Sequence, residues 1–497
     1  MKPLLGAIAI FLISCGGRPL FERTSDGTPE AELRLANIEW RVYRDFDAAR
    51  ARLTRLGTFE AQLELARFEP AALANAERLA KTKGEQRAVM RVRARLLVEQ
   101  GNARAAIPLL RALIEGEGPR LRITRLLARA GVMLRDRAVM MEGIDGYYRV
   151  SPFSGPPHLI ADAYAALRTA PDDAALARVL AGIRFFDEAA ILAPQSDVAR
   201  YAAMLQRMQN VADEHYRRIA LGNDSERALR KGIAAELKTM WPKLSFDDAV
   251  AEMGRQYGGY VLLGKTGGFH DTHIGHKVVD RVLPVEQYGR RATVRFIVLD
   301  AMVSNGFQSW RSDDKSGDGG WGTAEEIYQV RPMYADGPLR DWMRVTDPET
   351  RAKYGKDVAE RLHLQYLDRV FAETKTRDAF LALVERDTFQ YSILLHEGRH
   401  AIDGDDYDAW ELEYRAKLSQ VALADAPRAA VAAIVGDVVD DSPHGRANAK
   451  IRQQIDVQRL ETMTDDQIRA AFRALDPLFV LASRRHDRRT AQENSAQ

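Results

Sequence analysis

Tyr391-Ser392-Ile393-Leu394-Leu395-His396-Glu397-Gly398-Arg399-His400-Ala401-Ile402-Asp403 carries the pattern H-E-x-x-H behind an apolar run. On a helix, positions i and i+4 share a face, so His396 and His400 aim at one point. Glu397 is turned by about 100° from His396. That brings it near a water held at that point without making it a ligand. Ile393, Leu394 and Leu395 give the segment an apolar face to bury. Two imidazoles and a carboxylate at this spacing are what metal-assisted hydrolysis needs.

A tetrahedral zinc site needs a third protein ligand and an open position. Downstream, Asp403-Gly404-Asp405-Asp406 reads as a turn, Asp408 as an N-cap and Ala409–Ala424 as a helix. Helices joined by a short turn run antiparallel, which sets 411–413 level with 397–400. Glu411 and Glu413 are therefore both placed to supply the third ligand. Asp403 lies one turn after His400 and is an alternative ligand, though it reads rather as a partner of the site or a turn residue.

The stretch from His396 to Lys417 resembles the gluzincin branch of the zincin metallopeptidases, in which H-E-x-x-H gives two ligands and a later helix gives Glu. Their later helix often reads E-x-x-A, as Glu413-Tyr414-Arg415-Ala416 does. The resemblance implies zinc held by His396, His400 and Glu413, with Glu411 in reserve. It also implies water activation by Glu397, a peptide or protein substrate, and an α+β zincin-like catalytic domain over 241–483. The chain departs from the pattern in three places: Arg399 stands where an uncharged residue is usual, the gap to the third ligand is short, and Lys417 replaces a frequent acid.

Hydrolysis of an amide also needs a donor for the developing oxyanion. His444, in the turn Ser442-Pro443-His444-Gly445, is the candidate, with Tyr414 behind it. A second group of histidines, His270, His273 and His276, precedes the strongest strand signals; it reads as polar loop residues, as a second metal site, or with His276 lining a substrate cleft. Trp321 and Arg331 are further substrate-binding candidates, the latter through a carboxylate. The acidic loop Asp313–Asp318 lacks the full EF-hand pattern. Nucleophile-elbow, phosphate-loop and dinucleotide motifs are missing from the sequence.

The remainder of the 497 residues divides by composition. Residues 31–240 are rich in Ala, Leu and Arg, with helical periodicity and Gly turns near Gly101 and Gly182. They resemble tetratricopeptide hairpins without the Trp and Tyr marks of that repeat, which implies either a surface for a protein partner or a supporting helical domain. Beyond Trp241, Tyr260–Leu263, His276–Tyr288 and Ala292–Val303 read as strands, the last two joined by a turn at Gly289. The expected fold is mainly α, an α-solenoid-like domain followed by helices around a small antiparallel or mixed sheet. Residues 16–30 read as a tether and 484–497 as a polar tail.

Lys2, the apolar run Leu4–Ile13 and Leu12-Ile13-Ser14-Cys15-Gly16 resemble a bacterial lipoprotein signal over residues 1–15. The resemblance implies lipid on Cys15, the chain's single cysteine, and an anchor in the cell envelope. Gly16, in place of a retaining Asp, implies the outer membrane, facing the periplasm. With 72 basic and 70 acidic residues and a formal charge of +2, the composition gives no reason to expect nucleic acid. Two rival functions stand beside a peptidase: a non-enzymatic envelope scaffold, and a zinc amidohydrolase acting on cell-wall or other amides.

Overall fold

A computed structural model describes residues 25–149, 157–220, 226–266, 269–304, 320–322, 325–331, 337–404, 406–437 and 439–480. Cys15 and the acidic loop Asp313–Asp318 lie outside the described residues, as do the side chains of His270, His273 and Trp321. The chain is mainly helical with a small sheet, and it packs as two compact units. Unit 1 is Met1–Val278 with Leu299–Asp318; unit 2 is Val279–Val298 with Gly319–Gln497. No helix of the described residues is long and apolar enough to cross a membrane.

Unit 1 is a succession of short-turn helices. α1 (Lys83–Glu99) starts at a capping box of Thr82 and Glu85, and α2 (Ala103–Glu117) follows a turn through Gly101. Leu110, Leu113, Leu127 and Val139 bury one shared face between α2, α3 (Leu121–Leu134) and α4 (Arg137–Arg149). Glycine decides how closely α3 and α4 approach: a Cβ on Gly143 would stand 2.2 Å from the Ala128 backbone nitrogen. α5 (Phe186–Leu192), α6 (Asp197–Ala220) and α7 (Phe246–Tyr257) complete the helices the argument needs. An aromatic cluster joins them, with Tyr201 stacked on Tyr257 at 4.0 Å.

The five strands are β1 (Gly259–Thr266), β2 (Phe269–Gln287), β3 (Arg290–Ser304), β4 (Gly320–Gly322) and β5 (Glu326–Val330), in the order β1-β2-β3-β5-β4. β1 and β2 pair antiparallel from Gly259↔His276 to Thr266↔Phe269, so the histidine stretch expected in a loop is strand. β2 and β3 are joined by Tyr288 and Gly289, both at positive φ (49° and 77°). That is the two-residue turn whose twist matches a hairpin, which makes the pair antiparallel.

Unit 2 is built around one helix. α8 (Val358–Thr374) and α9 (Arg377–Thr388) lead through a widened turn into α10 (Gly398–Asp403) and then α11 (Ala409–Ala422). α12 (Pro427–Val435), α13 (Pro443–Gln454) and α14 (Asp465–Leu475) follow. Every residue of α11 from Tyr414 to Ala422 is buried. Leu418 and Val421 join a core with Val431, Ile434, Ile451, Leu460 and Phe472. The same helix also buries Arg415, Lys417, Ser419 and Gln420. Polar groups buried this way need partners, and those partners build the site.

Candidate metal centre

Between Phe389 and Glu397 the helix widens to i→i+5 hydrogen bonding, closed by Gly398 N–H donating to Ile393 O. The Leu395 carbonyl accepts from Gln287 Nε2 of β2 at 2.8 Å. Gly398 makes the strand's approach possible: a Cβ there would lie 2.6 Å from Val285 Cγ1. The residue inside H-E-x-x-H is therefore set by packing as well as by chemistry.

On this frame His396, His400 and Glu413 bring one ligand atom each into a single cluster. His396 Nε2 lies 3.4 Å from Glu413 Oε2, and His400 Nε2 lies 3.5 Å from Glu413 Oε1. Ligands about 2.0–2.1 Å from a tetrahedral zinc stand about 3.3–3.4 Å apart. Glu413 Oε2 is buried and receives no well-aligned hydrogen bond, although two imidazole nitrogens lie close to it. The three ligand atoms lie within 4.8 Å of one another, and the donor types and the unsatisfied oxygen are compatible with a small divalent cation.

His444 joins the group from the first turn of α13, which Ser442 caps. Its Nδ1 lies 2.9 Å from Glu413 Oε2, and its ring is parallel to that of His396 with centroids 6.4 Å apart. At 57% side-chain exposure it is the most open member of the group. Its observed contact is with the carboxylate of Glu413.

The charges respond to this packing. Burial pushes Glu397 up to about 7, against a smaller opposing pull from His396. Burial would lower His396, but the adjacent Glu413 carboxylate outweighs it and raises the imidazole above its ordinary value. His400 goes the other way, down to about 4, through burial and then the neighbouring His396. Burial would raise Glu413, yet the imidazoles of His396 and His444 hold it well below the usual carboxylate range.

Three buried residues around the cluster have roles that nothing in the chain's local pattern marks beyond helical spacing. Gln420 Oε1 accepts from His396 Nδ1 at 2.9 Å; it stands seven residues after Glu413, on the same face of α11. Arg399 is wholly buried and donates to Asp403 Oδ2 at 2.7 Å, Ser419 Oγ at 2.5 Å and both oxygens of Asp476 at 3.0 and 3.1 Å. This network accounts for a charged residue at a position where the resembled family is uncharged. Lys417 is buried beside Asp437 at 3.5 Å.

The other residues singled out in the sequence lie elsewhere. Glu411 is more open than Glu413 and sits 3.8 Å from Arg415 Nη1, outside the cluster. Asp403 is taken by Arg399 and by Arg415 Nε at 2.7 Å, so it braces the helices instead of facing the cluster. Tyr414 packs in the core of unit 2 and donates to Gln454 Oε1 at 2.6 Å. His276 does not line a cleft: it is buried in unit 1, stacked on Phe186 at 4.6 Å, with Nε2 2.9 Å from the Tyr201 hydroxyl. Arg331 is wholly buried, so its guanidinium has no surface to offer a substrate arriving from solvent. Trp321 pairs with Tyr328 through the backbone of β4.

Compared with models of known protein families, with curated proteins and with solved structures, the chain finds no match.

Proposed function

We propose that His396, His400 and Glu413 hold a zinc ion and that unit 2 is a zinc-dependent hydrolase of amide bonds. The observation that carries this reading is the convergence of His396, His400 and Glu413, whose ligand atoms all lie within 4.8 Å of one another, with Glu397 one residue from the first histidine. When bound, the ion supplies a polarised carbonyl and a water of lowered pKa.

The chain's own groups do the rest. Glu397, raised by burial to about 7, takes a proton from the attacking water and returns it to the leaving amine near neutral pH. His444, exposed and resting on Glu413, orients that carboxylate and is the candidate donor to a developing oxyanion. The buried Arg399–Asp403–Arg415–Asp476 network holds α10 against α11, which fixes the distance between the histidine pair and the Glu.

A peptide or protein is the substrate class that the gluzincin resemblance favours, and cell-wall amides are the variant to screen beside it. The same proposal places the chain in a bacterial envelope, anchored at the outer membrane through lipid on Cys15, with the tetratricopeptide-like helices of unit 1 offered to a protein partner. Metal analysis of the purified full chain tests the site. Near-stoichiometric zinc that is lost in His396→Ala and in Glu413→Ala supports it. Protein that stays metal-free after zinc reconstitution sinks it and leaves the scaffold reading.

A further inference from the structure

We propose that Gln420 is the positioning residue of the site: its side-chain oxygen fixes the tautomer and ring angle of His396 so that the Nε2 lone pair faces Glu413 and His400. What the residue is for rests on the zinc reading above; what it does to the imidazole rests on geometry alone.

His396 Nδ1 and Gln420 Oε1 are 2.9 Å apart, and both residues are buried, at 8% and 6% exposure. An amide oxygen carries no proton, so only an Nδ1–H satisfies the contact. The neutral ring is then unprotonated at Nε2, the atom 3.4 Å from Glu413 Oε2. A tautomer reversed at this position would set the buried Nδ1 lone pair against the amide oxygen, which is costly away from water, and its Nε2–H would point at the Glu413 carboxylate, in the direction a cation needs.

The placement on α11 gives this contact its consequence. Seven residues are close to two helical turns, so Glu413 and Gln420 share a face. One rigid helix therefore presents both a ligand and the group that aims another ligand. Any movement of α11 shifts the two together. The choice of an amide also matters. A carboxylate at 420 would be a third acid beside Glu397 and Glu413, and it would pull harder on Nδ1–H, making Nε2 more basic. The neutral amide orients the ring without that added charge.

The experiment has two arms on the full chain. In the first, metal-free protein with 15N-labelled histidine is examined by NMR at a pH where the ring is neutral. Wild type is expected to show His396 protonated at Nδ1, and Gln420→Leu and Gln420→Met to show mixed or reversed tautomers. A wild-type ring protonated at Nε2, or tautomers unchanged in both variants, overturns the proposal. In the second arm, zinc affinity is measured by chelator competition. Gln420→Leu is expected to weaken binding about 10–100-fold, and Gln420→Glu to restore it. Unchanged affinity in Gln420→Leu, or no rescue by Gln420→Glu where affinity had fallen, overturns the positioning role. If the tautomer responds as expected while wild type takes up no zinc, the zinc reading fails and the orienting contact stands. Because the wild-type tautomer is itself decisive, a variant that fails to fold does not shield the proposal.

Discussion

Arg399→Met removes the guanidinium of a wholly buried side chain and keeps most of its volume. Four hydrogen bonds go with it: one each to Asp403 and Ser419, and two to Asp476. Asp403 keeps Arg415 at 2.7 and 3.3 Å. Asp476 keeps only neutral donors, the Ser419 hydroxyl and the Leu478 N–H, both at 3.0 Å. The dominant cost is therefore the carboxylate of Asp476, left buried without a cation in contact. Removing one partner of such a pair costs about 3–5 kcal/mol. In a unit of this size that lowers the melting temperature by about 2–4 °C per kcal/mol. Urea unfolding of the zinc-free chain, followed by a signal from unit 2, reads the difference. Arg399→Met/Asp476→Asn is expected to recover part of the loss, because the stranded charge is gone. A loss below about 1 kcal/mol in the single variant, or full additivity in the pair, would refute the reasoning: the charges would then be solvated or independent.

Four further outcomes are expected. Glu397→Gln keeps zinc and lowers hydrolysis by about 10²–10⁴-fold; a variant that hydrolyses as fast as wild type removes Glu397 as the base. Gly398→Ala destabilises unit 2 by about 1–3 kcal/mol through its clash with Val285, and Val285→Ala in the same chain relieves most of that in thermal melts. Gly143→Ala costs at least about 2 kcal/mol and has no such rescue, because the Cβ meets the Ala128 backbone and not a side chain. His276 is held down to about 3, by burial first and then by Arg184 and Arg125 against Asp300. The unfolded ring, near 6.5, takes up its proton first as pH falls. Stability is thus fully present above about 6.5 and declines between 6.5 and 3, by on the order of 5 kcal/mol. His276→Gln flattens that decline in pH-dependent urea midpoints, and an unchanged slope would place the titration elsewhere.

The structure is most legible from the chain where a local period carries the information. H-E-x-x-H puts two histidines on one face by the pitch of a helix, and a turn of fixed length sets the next helix alongside. Those two facts bring His396 and His400 level with Glu411 and Glu413 before any fold is known. The turns at Gly289 and Gly101 are legible for the same reason, since each depends on a glycine that accepts positive φ. Strand extent is less legible: β2 begins at Phe269, because its first half is set by pairing with β1 and not by its own alternation.

The candidate ligand set and the helical character of the chain are thus written in the order of its residues, both being properties of spacing within a few turns. Packing in three dimensions chose Glu413 over Glu411, turned Asp403 toward Arg399 and Arg415, buried His276 and Arg331, and set Gln420 behind His396. Around α11 the reason is plain. A helix buried over most of its length must pair its polar side chains with whatever the fold brings near, and no period in the chain records which residues those are.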